Sequence, residues 1–282
     1  VLPGAGLSSP ASIAGLMGVG LNTLYNQGSV SSTQIAQIGQ FAENTFFGKP
    51  SGLMDQVACA SGGAVTIDFR DATSPVIEQI DVSFEAAGLA LLVVDTGANH
   101  ADLTDEYAAI PADMRAVAAA LGGEVLRDVS GETFHAAIPM LRRELGDRAV
   151  ARGIHFFDEN ARVEQMVAAL RDGAFPDYLA LMADSGRSSG MFLQNCVPVS
   201  NPGEQGVVIA LALTEHFFAS HRLRAGRDAA CRVHGGGFAG TIQVLLPVEQ
   251  LNAYNEFITG YLGEGAVTRL GIRAAGALGF PA

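Results

Sequence analysis

The order of strand-like and helical segments is the feature that most restricts the fold of this chain. Two apolar runs, AVTIDF from residue 64 and LALLVVDTG from residue 89, have the composition of buried strands. From residue 107 to about residue 182 the apolar residues instead recur with a helical period. A further strand, glycine turn and strand, AACRVHGGGFAGTIQVLLP, begins at residue 229. Because strands and helices are segregated rather than alternating, the sequence predicts an α+β fold, not a doubly wound sheet.

Length, charge and cysteine content exclude several classes of protein. A chain of 282 residues is long enough for two domains, and no apolar run reaches the roughly 18 residues that span a bilayer. The formal net charge of −12, without a basic stripe, argues against nucleic-acid binding. The three cysteines are far apart and none lies in a CxxC pair, which disfavours a zinc site or disulfide framework. We also expect no signal peptide ahead of the first motif. We therefore expect a reduced, cytoplasmic protein without a membrane or nucleic-acid partner.

The first candidate site lies at the beginning of the sequence. An apolar helical run follows a short glycine- and serine-rich loop, whose residues are Gly4, Ala5, Gly6, Leu7, Ser8 and Ser9. Backbone N–H groups ahead of a helix are suited to bind an anion, although the lysine and spacing of a Walker A loop are absent. The alternative is that Ser9 simply caps a helix whose first residue is Pro10.

Two carboxylates in apolar surroundings form the second candidate. Glu43 belongs to an otherwise uncharged helical segment, and Asp55 follows a glycine turn in SGLMDQVACA. A carboxylate in such surroundings is costly unless it is paired, binds a metal ion or is used chemically. The alternative is that Glu43 faces solvent and Asp55 caps a helix.

Two loops in the C-terminal half complete the candidates. Three consecutive glycines in HGGGFAG, residues 234–240, exceed what a tight turn needs, so we expect another loop or a ligand to approach closely there. The polar loop DTGANHADLTDEY, residues 95–107, directly follows a buried strand, and loops at strand ends often carry binding groups. A further polar stretch, SGRSSGMFLQN from residue 185, has no evident function.

Taken in order, these segments resemble the galactokinase branch of the GHMP small-molecule kinases. GAGLSSPAS is similar to the phosphate loop of that family, AEN and GKPSGLMDQ to its metal-ligand and base segments, and DTGANHADLTDEY to its sugar-side loop. RVHGGGFAG is similar to its third motif. The resemblance implies a two-lobed GHMP fold, with a ribosomal-protein-like N-terminal lobe, here incomplete, and a ferredoxin-like C-terminal domain. Residues 1–60 would be the remainder of the ATP-binding lobe and residues 61–282 the C-terminal domain, with the active site between them.

The resemblance also implies a role for each candidate residue. It implies ATP and Mg²⁺ as cofactors, a sugar as substrate, Glu43 as metal ligand, and Asp55 as general base or orienting carboxylate at the anomeric hydroxyl. Gly52, Asp55 and Tyr107 would contact the sugar. The loop from Gly4 to Ser9, with Ser12, would bind the ATP phosphates. Three glycines, Gly235, Gly236 and Gly237, would let the third motif pack against the phosphate loop.

Two departures from the family pattern leave the activity open. The N-terminal motif of the family, of the form GRxNLxGEHxDY, is absent, and we expect that the sequence is part of a longer protein rather than a degenerate relative. Pro10 replaces the third serine of the phosphate loop and has neither a hydroxyl nor an N–H group. The expected function is ATP-dependent phosphorylation of a hexose, most directly galactose, at its C1 hydroxyl. The alternatives are a weakened or inactive sugar- or nucleotide-binding regulator, and a kinase of another small alcohol.

Overall fold

The computed structural model describes residues 8–48, 51–97, 103–238 and 240–279. The chain divides into two compact units. The first comprises the described residues up to Ser83 together with those from Gly271 onward, and the second is Phe84–Leu270. The first unit thus includes the hairpin that follows residue 60 and the C-terminal segment.

The first unit consists of three helices and a two-stranded antiparallel hairpin within its described residues. The elements are α1 (Ser9–Asn26), α2 (Ser32–Phe46), α3 (Met54–Ser61), β1 (Ala64–Asp68) and β2 (Val76–Ile80). Its core joins buried residues of α2 and α3, such as Ala36 and Val57, to Ile67 and Ile77 of the hairpin. The C-terminal segment packs beside the end of α3. Just after that helix, the Gly63 N–H donates to Arg273 O at 2.7 Å.

The outer faces of the first two helices are apolar and exposed. Large apolar side chains of α1 are more than half exposed within the described structure, namely Ile13, Leu16, Met17, Leu21, Leu24 and Tyr25. Phe41 and Phe46 of α2 and the neighbouring Phe47 are exposed as well. So many exposed large apolar side chains on two helices are unusual for a monomeric globular domain. The described residues therefore supply only part of the packing that α1 and α2 are suited to.

The second unit combines a helical block with a four-stranded antiparallel sheet. Its helices are α4 (Thr104–Ala120), α5 (Gly131–Leu145), α6 (Asp147–Arg171), α7 (Phe175–Ser188), α8 (Gly206–Ser220) and α9 (Leu251–Leu262). A 3₁₀ turn follows α4 (Leu126–Asp128), a π-helical turn follows α7 (Ser189–Leu193), and a 3₁₀ turn precedes α9 (Val248–Gln250). Buried apolar residues of α4, α5 and α6, among them Val117, Phe134 and Val150, form the core of the helical block.

The sheet of the second unit contains one strand whose first six residues are all buried. Its strands are β3 (Leu89–Asp95), β4 (Ala230–Val233), β5 (Thr241–Pro247) and β6 (Val267–Leu270), in the order β4-β5-β3-β6. The near-continuous aliphatic run of β3 explains its central place, with Leu92 opposite Val244 of β5. The sheet shares a core with α8 and α9 through Phe217, Tyr254 and Ile258.

The predicted α+β class is confirmed, since every named strand pair is antiparallel and the helical block is separate. The strand, glycine turn and strand are present as β4 and β5. Strand β2 was not expected from the sequence, because its side chains are largely exposed and lack a clear alternating pattern. None of the helices in the described ranges combines the length and the apolar character that a bilayer crossing requires.

Candidate active site

Helix α1 starts one residue earlier than predicted, and its first cap is not made by a serine side chain. Ser8, not Ser9, is the N-cap residue, with a left-handed backbone (φ 52°), and the Ser8 carbonyl accepts the Ser12 N–H at 3.0 Å. Pro10 is therefore the second helical residue, where its missing N–H group costs the helix nothing. The Ser8 hydroxyl donates instead to Asp55 Oδ2 at 2.6 Å. The prediction that Ser9 caps the helix is wrong, because this tertiary contact places Ser8 at the helix start.

Glu43 is buried rather than solvated. Its side chain is 6% exposed and its Oε1 atom accepts a hydrogen bond of 2.8 Å from Gln56 Nε2, itself 3% exposed. This contact joins α2 to α3. The solvent-facing alternative for Glu43 is therefore excluded.

Asp55 lies exposed in the first turn of α3, after the N-cap residue Leu53. One turn further on, the Cys59 thiol contacts the Ser12 hydroxyl at 3.3 Å. The pairs Ser8–Asp55 and Ser12–Cys59 have the same spacing on both helices, so α1 and α3 run side by side in the same direction. Ser8 at the start of α1, Glu43 of α2 and the MDQ segment of α3 are thus connected by side-chain hydrogen bonds within the first unit.

This cluster is suited to one Mg²⁺ ion bound together with a nucleotide. Within the described residues, no group of three or more His, Cys, Asp or Glu side chains is placed to hold a metal ion. Nucleotide-bound Mg²⁺ needs only one or two carboxylates, because phosphate oxygens and waters complete its coordination. Glu43 provides a buried carboxylate, and the buried Gln56 Oε1 atom has no hydrogen-bond partner in the described structure. An orphaned acceptor at this place fits a site that a bound group or its water completes.

In the second unit, the glycine loop packs closely against two side chains. A Cβ atom on Gly236 would lie 2.7 Å from Tyr107 Cε1, and one on Gly237 would overlap the backbone oxygen of Asn195. Asn195 Nδ2 donates to Gly236 O at 3.2 Å, and the Phe238 N–H donates to Asn195 O. Close approach therefore explains two of the three glycines, whereas Gly235 has open space and is required by its left-handed φ of 60°.

Tyr107 belongs to the first turn of α4 and is attached to the same loop. Its hydroxyl donates to Gly237 O at 3.0 Å, and its ring meets the edge of Phe238 at a centroid distance of 5.4 Å. Partial burial raises the pKa of the Tyr107 phenol above its ordinary value of 10.0, so the hydroxyl stays protonated and remains a donor. Tyr107 as a whole is 37% exposed, which leaves part of the residue accessible to a ligand.

The remaining predicted site residues either make few contacts or lie outside the described residues. Gly52 is exposed and a Cβ atom there would meet no described atom within 4 Å. Ser9 and Ser12 are half-buried in the first turn of α1. Four residues of the phosphate loop, Gly4, Ala5, Gly6 and Leu7, lie outside the described residues, as do residues 98–102 of the polar loop. Their predicted roles stay predictions.

Gln56 and Asn195 carry contacts that the sequence patterns do not reveal. The signal for Gln56 is its place directly after Asp55, on the helix that faces Glu43. Asn195 ends the polar stretch that had no evident function, and its side-chain partner Gly236 is 41 residues away in the sequence. A local sequence pattern could not have shown that Asn195 contacts the glycine loop.

Comparison with known proteins agrees with these motifs. The family model described as the GHMP kinases N terminal domain matches residues 1–63. The galactokinase of Streptomyces coelicolor is 34% identical over 274 residues, which cover 96% of this chain and 64% of that protein. The galactokinase of Glaesserella parasuis is 30% identical over 254 residues, 90% of this chain and 61% of that protein. The chain thus spans less than two thirds of the length of these curated relatives.

Solved structures show the same architecture. Lactococcus lactis galactokinase, crystallised with galactose, superposes with a TM-score of 0.77 at 21% identity, over 100% of this chain and 69% of that chain. Mevalonate kinase of L. major, in complex with R-mevalonate, gives a TM-score of 0.58 at 15% identity, over 95% of this chain and 66% of that chain. These likenesses concern the fold.

Proposed function

Because this chain is a galactokinase-like member of the GHMP kinase family, we propose that it transfers the γ-phosphoryl group of ATP to the C1 hydroxyl of a hexose. Galactose is the substrate that the named relatives favour, and the products are sugar 1-phosphate and ADP. The observation that supports this most is the cluster in the first unit. Hydrogen bonds from Ser8 to Asp55 and from Gln56 to Glu43 bring together the segments that such a reaction needs.

Asp55 is the proposed base. An ionised carboxylate has two acceptor oxygens, and Ser8 occupies only Oδ2. Asp55 Oδ1 makes no hydrogen bond to another described residue, so it can accept the proton of the sugar hydroxyl as the new O–P bond forms. The Ser8 hydroxyl fixes the rotation of the carboxylate and thereby aims Oδ1.

Glu43 is the proposed metal ligand. When bound, Mg²⁺–ATP supplies the transferable phosphoryl group and neutralises the charge that develops on it. The Gln56 amide holds one Glu43 oxygen in place, which restricts the carboxylate to a single orientation. Ser8, Ser9 and Ser12 at the start of α1, with the loop from Gly4 to Leu7, would hold the phosphates through hydroxyl and backbone N–H groups.

The sugar would be held by Asp55, the backbone of Gly52 and Tyr107. Because Gly52 is exposed and uncrowded, its backbone is accessible to a polar ligand. The exposed part of the Tyr107 ring provides an apolar surface of the kind on which sugars pack, while its hydroxyl is used by the glycine loop. Gly235, Gly236 and Gly237 would let that loop approach the phosphate loop.

The direct test is ADP release with galactose, ATP and Mg²⁺, and phosphorus NMR to identify a C1 phosphate. Asp55→Asn should lower kcat about 10²- to 10⁴-fold with little change in ATP affinity. Glu43→Gln should weaken Mg²⁺-dependent ATP binding by at least about 10- to 100-fold. That is the loss of metal affinity typical of removing a residue that only supports a metal ligand, and Glu43 would be a ligand itself. Asp81→Asn and Glu78→Gln, at exposed positions of the same unit, are the matched controls.

A regulator without catalysis is the second candidate, and Pro10 favours it. Pro10 removes a hydroxyl and an N–H group from the first turn of α1, where a phosphate or metal would be held. Pro10→Ser should then create affinity for Mg²⁺–ATP that the parent lacks, measured by calorimetry. Tight Mg²⁺–ATP binding by the parent, unchanged in the variant, would count against this reading. Absence of turnover on any hexose by the folded parent protein, together with weak Mg²⁺–ATP binding, would support it over the kinase.

A further inference from the structure

We propose that Asn195 is a positioning residue that fixes the direction of the peptide groups in the glycine loop, so that the loop offers N–H groups to an anionic ligand. This inference rests on the proposed function for the identity of the anion, the phosphates of ATP. Asn195 is 2% exposed and holds the loop twice. Its Nδ2 donates to Gly236 O at 3.2 Å, and its backbone oxygen accepts the Phe238 N–H.

The direction follows from the geometry of a trans peptide. No cis peptide bond occurs in the described chain, so each C=O group and the N–H group of the next residue point in opposite directions. Because Gly236 O points at the Asn195 amide, the Gly237 N–H points away from it. Among the described residues, none accepts a hydrogen bond from the N–H groups of Gly235, Gly236 and Gly237. Backbone N–H groups that lack a protein acceptor are the groups with which glycine-rich loops bind anions.

The next peptide of the loop is held from both sides. Gly237 O accepts the Tyr107 hydroxyl at 3.0 Å, while the N–H of the same peptide group, on Phe238, donates to Asn195 O. Neither end of this peptide can turn without losing a hydrogen bond. Asn195 and Tyr107 together therefore keep the carbonyl oxygens turned toward the protein, which removes the groups that would repel a phosphate.

The unpaired oxygen of Asn195 indicates that this side chain is present for its donor. Asn195 Oδ1 is buried and has no hydrogen-bond partner in the described structure. A buried unpaired acceptor costs free energy, and an apolar residue of similar size would avoid that cost. The orientation of the Gly236–Gly237 peptide requires a side chain that donates to Gly236 O. Asparagine provides this donor, although its own Oδ1 atom then has no hydrogen-bond partner.

The segment that carries Asn195 is itself fixed. A π-helical turn, Ser189–Leu193, precedes it and ends at Gln194, whose backbone is left-handed (φ 62°) and whose N–H donates to Ser189 O at 2.9 Å. The Leu193 carbonyl accepts Arg152 Nε at 3.2 Å, and Arg152 is 1% exposed. Such π-helical turns often occur at functional sites, where they redirect the chain. Here the turn directs Asn195 onto the loop.

The test replaces the donor with minimal change of shape. Asn195→Asp puts an acceptor opposite Gly236 O, and Asn195→Ala removes the donor without adding a charge. Asn255→Asp, the same chemical change at an exposed position of α9, is the control. We expect both Asn195 variants to bind ATP about tenfold more weakly by calorimetry, and their KM for ATP to rise while KM for galactose stays unchanged. Loss of folded protein alone would lower kcat without this selective effect.

Binding of sodium tripolyphosphate separates this inference from the proposed function. If the parent protein phosphorylates galactose, and a folded Asn195→Ala or Asn195→Asp variant binds ATP as tightly as Asn255→Asp does, the positioning role is wrong and the kinase stands. If the parent has no kinase activity but binds tripolyphosphate in an Asn195-dependent way, the positioning role stands and the kinase is wrong. If the parent binds neither ATP nor tripolyphosphate, both are overturned.

Discussion

Alanine substitution at each of the three loop glycines should give three different losses of stability, because each position is restricted in a different way. Gly235 has a left-handed backbone (φ 60°) but open space, so Gly235→Ala tests backbone strain alone. Gly236→Ala tests space alone, since its new methyl group would lie 2.7 Å from the Tyr107 ring. Gly237 combines a left-handed backbone (φ 80°) with an overlap against the Asn195 carbonyl.

The expected magnitudes follow from these restrictions. A left-handed alanine costs about 1–2 kcal/mol, of which the reduced freedom of the unfolded chain offsets about 0.4–1 kcal/mol, so Gly235→Ala should cost about 1 kcal/mol. Gly236→Ala should cost a similar ~1 kcal/mol, because the Tyr107 ring is partly exposed and can tilt away. Gly237→Ala adds overpacking against a backbone atom, about 1–3 kcal/mol, to the strain, for a total of about 2–4 kcal/mol.

Urea unfolding followed by far-ultraviolet circular dichroism measures the three losses, and the absence of tryptophan makes this signal preferable to fluorescence. The decisive comparison is Gly237→Ala against Gly235→Ala, since the two share the strain and differ only in the overlap with Asn195. Equal losses at these two positions would refute the close packing of the loop on Asn195. A large loss at Gly235 would refute the open space there.

Two further predictions concern the rest of the molecule. Burial lowers the pKa of His155 below its ordinary value of 6.5, so the folded protein binds its proton less readily than the unfolded chain does, and stability should fall as pH drops below about 6.5. His155→Gln should make the urea midpoint less pH-dependent between about pH 7.5 and 5.5, and an unchanged slope would contradict this. In the first unit, Gly276→Ala should lower the thermal midpoint, because a Cβ atom there would overlap the Ala60 carbonyl, whereas Gly271→Ala meets nothing within 4 Å and should be neutral. Equal midpoints for these two variants would show that the C-terminal segment does not pack on α3.

Much of the fold could be predicted because its patterns are local and strong. The aliphatic run of β3 and the helical period of α6 need no distant partner to be recognised. Strand β2 was not predicted because only its last residue, Ile80, is buried. Its side chains therefore lack the alternation of buried and exposed residues that marks a strand. The short α3 lacks a side-chain cap that would mark its beginning.

The candidate site was predictable in composition but not in contacts. The sequence did not determine whether Glu43 is exposed or buried. Its burial depends on the hydrogen bond from Gln56, which is thirteen residues away and lies on another helix. The sequence does not show whether Ser8 or Ser9 is the N-cap residue of α1. The structure identifies Ser8, whose hydroxyl contacts Asp55, 47 residues away. Asn195 has no local signal at all, since its role exists only where the glycine loop folds back onto it.

The parallel arrangement of α1 and α3 has an electrostatic consequence for the first unit. Since Ser8 at the start of α1 touches Asp55 in the first turn of α3, the positive ends of two helix dipoles lie next to each other. The Asp55 carboxylate lies at this junction and offsets part of the positive potential, so any attraction for a polyanion there is short-ranged, whereas the formal charge of −12 repels it from farther away. Dissolved salt screens the distant repulsion over about 8–10 Å, and it also weakens the field of exposed helix ends. If the proposed nucleotide binds here, the salt dependence of its affinity should therefore be shallow.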